Sequence, residues 1–191
     1  MPDREKVWDY LSHSEKAQRM ADGLREIVEM AGSRNIADTP ITVVIEDFDD
    51  RNSSIACVSG MQWFAEQVPG LCFTFDTGNF IIHGEDIFAA WEELKDKVVH
   101  VHCKDRKISS DKPLQTQKNA TPDIKECYLP AAVGEGCIPI KELVYKMKEY
   151  GYRGYLAIEH FDAADQEAYM QKSVANLQEY CSQTGMEIYT K

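Results

Sequence analysis

VHVHCKD, residues 99–105, puts two histidines one residue apart in a segment that otherwise reads as a β-strand. Successive side chains of an extended chain point to opposite faces, so His100 and His102 share one face and Val99 and Val101 the other. Such a strand has a greasy face to bury and a polar face available for chemistry. The fold turns on what other segments bring to the histidine face.

Three more segments have the same character. ITVVIE (41–46), LCFTFD (71–76) and GYLAIE (154–159) are short, apolar and rich in β-branched or aromatic residues, as is VVHVHC (98–103). Between them lie helical patterns. Ala17, Ala21, Leu24, Val28 and Ala31 recur at helical spacing over 14–31. Ser59 opens a helix that Pro69-Gly70 stops, and Ile87, Phe88, Trp91 and Leu94 carry one over 84–96. Pro139 starts a helix through Leu143, Val144 and Met147 that Gly151 ends, and a last helix covers 165–182. The order is a helix, then strand and helix four times. That alternation predicts one α/β domain of four parallel strands joined by right-handed crossover helices. Residues 104–136 show no periodicity and are long for a strand-to-helix connection, which predicts either a rim loop covering substrate or meeting a partner, or an ordinary disordered insertion, as the polar SSDKPLQTQKNATPD suggests.

In a parallel sheet all strand C-termini reach one edge. There the sequence supplies Glu46, Asp76, His102 and Glu159. Alternation puts Thr42, Val44 and Glu46 on one face with Cys72, Thr74 and Asp76, with His100 and His102, and with Tyr155, Ala157 and Glu159. The opposite face takes Ile45, Leu71, Phe73, Phe75, Val99, Val101, Leu156 and Ile158. A partly polar inner face fits a barrel interior better than the second helix-covered face of an open sheet. Three converging carboxylates repel one another unless one takes a proton or a cation joins them. Three oxygens and one imidazole favour Mn²⁺, Mg²⁺ or Co²⁺; Zn²⁺ is also compatible.

The composition narrows the function. The chain has 191 residues, 43% hydrophobic and 28% charged, with a formal net charge of −11. That charge repels a phosphate backbone, so no nucleic-acid partner is expected. MPDREKVWDY, at the start, has no apolar run, so neither a secretory signal nor a membrane span is expected. The six cysteines form no close CxxC pair, and Cys57, Cys72 and Cys103, beside or within apolar segments, read as small buried hydrophobes in a reducing, cytoplasmic setting.

The motifs VVIEDF, FTFDTGN, VVHVHCKD, VGEG and GYRGYLAIEH, taken in order, resemble the signatures of the xylose-isomerase-like sugar phosphate isomerase/epimerase superfamily. The resemblance runs from about residue 14 to 182. It implies a metal-dependent (β/α)8 TIM barrel whose metal set, after strands five to eight, falls on Glu46, Asp76, His102 and Glu159. It further implies that this chain matches the C-terminal half of such a barrel, with the first four strands absent. A half barrel leaves open strand edges, so the fold is incomplete unless complemented. The complement expected is a missing N-terminal half-barrel, a second subunit or a second copy. Many members have His where this chain has Asn79, which can hydrogen-bond a hydroxyl but cannot donate the same proton.

The activity implied is that of a sugar or cyclitol isomerase or epimerase. A metal-held carbonyl and hydroxyl would allow proton abstraction through an enediolate, with Glu46 and Glu159 as the acid–base pair. With a leaving group on the next carbon the same carbanion eliminates. A lyase is therefore the alternative, either an inosose dehydratase-like enzyme or a C-glycoside-cleaving subunit. Endonuclease IV-type repair enzymes share the superfamily, but five histidines and an acidic balance suit a multi-zinc DNA site poorly. A non-catalytic binding or structural half-barrel is the rival of another kind. Asn79, His100, Lys104 and Arg106 are the expected substrate contacts, Asp105 is expected to orient Lys104, and Glu135 to support the VGEG loop.

Overall fold

The computed structural model describes residues 3–33, 35–36, 39–50, 52–109, 127–161 and 163–187. They divide into two compact units, Met1–His100 and Val101–Lys191, with the boundary inside a single strand.

The first unit opens with two helices, α1 (Arg4–His13) and α2 (Glu15–Gly32). Asp3 caps α1 by accepting from the N–H groups of Glu5 and Lys6. Ser14 serves both helices, since its N–H donates to Leu11 O while its hydroxyl accepts from Ala17 N. The sequence reading began the first helix at Ser14. The sequence shows no clear helix before it because α1 is short and mostly polar, burying only Leu11 fully, with Val7 and Trp8 half-buried. A short antiparallel pair follows, β1 (Asn35–Ile36) and β2 (Thr39–Pro40). Then come β3 (Val44–Glu46), α3 (Val58–Gln67), β4 (Cys72–Asp76), a 3₁₀ turn at Phe80–His83 and α4 (Ile87–Leu94).

β3 and β4 pair in parallel, Val44 with Cys72, Ile45 with Phe73 and Glu46 with Thr74. Ile45, Phe73 and Phe75 are buried, as the apolar face requires. Phe75 packs on Phe80 and edge-on against Trp91, and Trp63 sits edge-on to Phe64. Two indoles find acceptors across this packing: half-buried Trp8 donates its Nε1–H to Ser59 O, and buried Trp63 donates to Ser12 Oγ. The N-terminus of α3 is met by a distant residue, Glu85, whose Oε2 accepts from Val58 N at 3.1 Å. The helix therefore starts one residue before Ser59, the residue that sequence suggested.

β5 (Val98–Cys103) carries the chain from one unit into the next. Burial alternates along it from His100, with His100 and His102 half-buried and Val101 and Cys103 buried, whereas Val99 at its foot is exposed. β6 (Asp105–Ser109) and β7 (Cys127–Ala131) form an antiparallel pair in register from Asp105–Ala131 to Ser109–Cys127. The stretch 104–136 thus contains strands where sequence showed only an aperiodic loop, and its part 110–126 lies outside the described residues. α5 (Ile140–Tyr150) buries Ile140, Leu143, Val144 and Met147 and ends at Gly151, whose φ of 84° lets its N–H reach back to Lys148 O. β8 (Tyr155–Ile158) and α6 (Gln166–Thr184), capped by Asp165, complete the unit.

β3, β4, β5 and β8 make one parallel sheet in that order, with the helices as crossovers. This is the α/β half-barrel arrangement expected from the sequence.

Candidate metal centre

In the first unit, Glu46 ends β3 and Asp76 ends β4, on the face they share with Thr74. Asp76 is buried and held at both its backbone and its carboxylate. Its N–H donates to Asp47 Oδ1 at 2.8 Å, and its Oδ1 accepts from Gly78 N at 2.7 Å. Asp47 is fully buried, and its Oδ2 meets no hydrogen-bond partner among the described residues. Burial, then the neighbouring Asp76 charge, push the Asp47 carboxyl well above the usual carboxylate range. A neutral Asp47 can brace Asp76 without adding a further charge. Asn79 is also part of this brace, since its amide donates to Asp47 O at 2.9 Å and the residue is buried. Its side chain thus has a structural task at the position where sequence suggested a substrate contact.

In the second unit, Glu159 follows β8, and its N–H donates to Cys103 O. Its carboxylate is gripped on both oxygens. His102 Nδ1 lies 2.8 Å from Oε2, and Lys104 Nζ donates to Oε1 at 2.8 Å. His102 first, then Lys104, hold the carboxyl down to about 2. Lys104, expected from sequence as a substrate contact, is buried and partners Glu159. Arg106 is buried in β6, and its carbonyl accepts from Cys137 N. His100 lies two residues before His102 on β5 and is half-buried.

Behind this pair sits a carboxylate whose weight sequence reading underestimated. Asp105 accepts from four backbone N–H groups: Arg106 at 2.8 Å, Gly134 at 2.8 Å, Gly136 at 2.9 Å and Ile138 at 3.1 Å. Burial raises its pKa, and these donors oppose the rise. The glycines of VGEG follow from that geometry. A Cβ on Gly136 would lie 2.0 Å from Asp105 Oδ1, and Gly134 has φ of 85° with Tyr180 Oη in the space of its Cβ. Asp105 therefore gathers the 133–138 loop onto the start of β6, next to Lys104. Ser173 Oγ accepts from Val133 N, Asn176 donates to Val133 O, and Glu135 pairs with Lys172, tying the loop to α6. Only the repeated glycines hinted at this arrangement in the sequence.

Glu46, Asp76, His102 and Glu159 form a group that could hold a metal ion. Each offers one ligand atom, and the four atoms lie within 4.8 Å of one another. Three carboxylate oxygens and one imidazole nitrogen suit a hard or borderline divalent cation. Such a cation would also relieve the crowding of negative charge around Asp76.

A parallel α/β sheet with acidic and imidazole ligands at its strand ends defines a barrel-type protein with a candidate metal site. The chain belongs to the xylose isomerase-like TIM barrel family, whose model matches residues 2–180. Among curated proteins it is similar to an inosose dehydratase of Lacticaseibacillus casei, 28% identical over 86 residues, which are 44% of this chain and 28% of that one. Among solved structures it is similar to a D-tagatose 3-epimerase-like protein, with a TM-score of 0.64 and 23% identity over 86% of this chain and 54% of that one. A xylose isomerase-like TIM barrel protein from Mycobacterium smegmatis in complex with magnesium gives a TM-score of 0.64 at 14% identity, over 90% of this chain and 53% of that one. The chain thus spans little more than half of these solved structures, and the curated match spans less than a third of its relative.

Proposed function

We propose that this protein is a divalent-metal-dependent isomerase or epimerase that abstracts a proton beside a carbonyl in a sugar or cyclitol. The observation that carries the reading is the four-residue ligand group at the strand ends. Glu46, Asp76, His102 and Glu159 would hold the ion, with Mn²⁺ the best match to the donor set and Mg²⁺, Co²⁺ or Zn²⁺ as alternatives. When bound, the ion would polarise the substrate carbonyl and stabilise charge on its oxygen.

The chain's own residues divide the remaining work. Glu46 and Glu159 stand on strands that are not neighbours in the sheet, which suits proton transfer at two faces of one carbon. Glu159, held near 2 by His102 and Lys104, is a weak base as it stands. It suits holding a cation better than taking a proton from carbon, so Glu46 is the stronger candidate for abstraction. Asp47 and Asn79 fix Asp76, and Asp105 fixes the backbone beside Lys104. His100 and Arg106 remain proposed substrate contacts.

A lyase is the second reading. It draws on the inosose dehydratase match and on Lys104, an ammonium on Glu159 able to protonate a departing hydroxyl. A non-catalytic half-barrel would show no metal uptake on elemental analysis. Because the chain spans about half of its solved relatives, we assign activity to a completed barrel rather than to these four strands alone.

The test is proton exchange in D₂O with manganese-loaded protein, complemented with its missing half, on 3-keto sugars, ketohexoses and inososes. Loss of the proton signal beside the carbonyl is expected, with an epimer or a dehydrated product telling isomerase from lyase. No exchange on any of them would remove both enzyme readings.

A further inference from the structure

His160 follows the candidate ligand Glu159 in the chain and is buried. Its ring stands edge-on to Tyr169 of α6, 5.8 Å between centroids, and its carbonyl accepts from Gln166 Nε2. Its Nε2 lies 2.9 Å from Oγ of Ser173, a residue with no exposed surface. Its Nδ1 is buried with no hydrogen-bond partner among the described residues. Leaving that nitrogen unsatisfied costs stability that an apolar side chain in its place would not lose. What the imidazole offers over such a side chain is the bond to Ser173. Ser173 Oγ also accepts from Val133 N at 2.8 Å, where the VGEG loop begins. The next N–H groups of that loop, those of Gly134 and Gly136, donate to Asp105, and Lys104 beside Asp105 reaches Glu159 Oε1. The bonds close a ring: Glu159 is held in front by Lys104 and behind, through His160 and Ser173, by the loop that Asp105 clamps.

We infer that His160 and Ser173 are positioning residues for the metal centre, fixing Glu159 against Lys104 by tying the end of β8 to the VGEG loop. The inference rests on Glu159 as a metal ligand, and it adds two residues that touch neither the ion nor a substrate. Partners that orient a ligand from behind typically change metal affinity by about 10–100-fold when they are lost.

The experiment titrates the 191-residue chain with Mn²⁺ by calorimetry, as wild type and as three variants whose fold circular dichroism checks. Ser173→Ala removes the hydroxyl with little change in volume. His160→Asn places its amide near the site of Nδ1 and falls short of Ser173, whereas His160→Gln places its amide near Nε2 and reaches it. Ser173→Ala and His160→Asn are each expected to weaken Mn²⁺ binding by about tenfold, and His160→Gln to stay within about threefold of the wild type. Amide exchange at Val133 should speed up by about tenfold or more in Ser173→Ala. If Ser173→Ala does not hold its fold, the two His160 variants, alike in polarity, decide the matter. Wild-type affinity in Ser173→Ala or His160→Asn would overturn the inference, and so would equal losses in His160→Asn and His160→Gln. A wild type that takes up no Mn²⁺ would remove the metal reading, and the inference with it, a result distinct from equal binding by all four chains.

Discussion

Glu159 concentrates the electrostatics of the second unit, for one carboxylate there answers an imidazole, an ammonium and a prospective cation. Glu159→Gln keeps the shape and removes the charge. Its manganese affinity, read by calorimetric titration, is expected to fall by about 100-fold or more, because one anionic ligand of four is lost. The same residue sets an acid response. Its pKa in the fold, about 2, lies below the ordinary glutamate value of 4.5, so its contribution to stability is complete above about pH 4.5 and drains away as pH falls toward 2. Urea midpoints at pH 5 and pH 3 should differ more for the wild type than for Glu159→Gln. An equal difference would mean that the His102 and Lys104 contacts do not hold in solution. At this scale the sequence was legible wherever period-2 alternation decides, as it does for Glu46, Asp76, His102 and Glu159. It was silent about Asp47, whose role depends on the N–H of Asp76 across a strand pair, and Asn79 took its structural part for the same reason.

Among the elements, the loop 133–138 and its clamp Asp105 are where a small change should cost most. Asp105→Ala strips the acceptor from four backbone N–H groups, and buried unsatisfied donors cost about 1–3 kcal/mol each. Gly136→Ala pushes a methyl into the same carboxylate, an overpacking that costs about 1–3 kcal/mol. Both should lower the urea midpoint, whereas Glu135→Ala, which breaks an exposed ion pair with Lys172, should move it little. Matching losses in all three would refute the clamp. Helices with a clear apolar stripe, such as α5, were legible residue by residue. α1 was not, since it is short, mostly polar, and fully buries only Leu11. Nor were β6 and β7, because Asp105, Arg106 and Lys107 hide any alternation and the pairing joins segments 18 or more residues apart.

For the whole molecule, the order of strands and helices was legible because parallel connections leave few topologies open. What completes the sheet was not, since a strand edge is a property of what lies beside it and not of its own residues. No helix among the described residues is long and apolar enough to cross a membrane. A ligand that binds the folded state stabilises it by mass action, so saturating Mn²⁺ should raise the thermal midpoint of the wild type and leave Glu159→Gln nearly unmoved. The most direct measurement is manganese stoichiometry, by elemental analysis after equilibrium dialysis, for the wild type and for a variant combining Glu46→Gln, Asp76→Asn, His102→Ala and Glu159→Gln. The account predicts one ion per wild-type chain and none in the variant; equal uptake by both, or none by either, would contradict it.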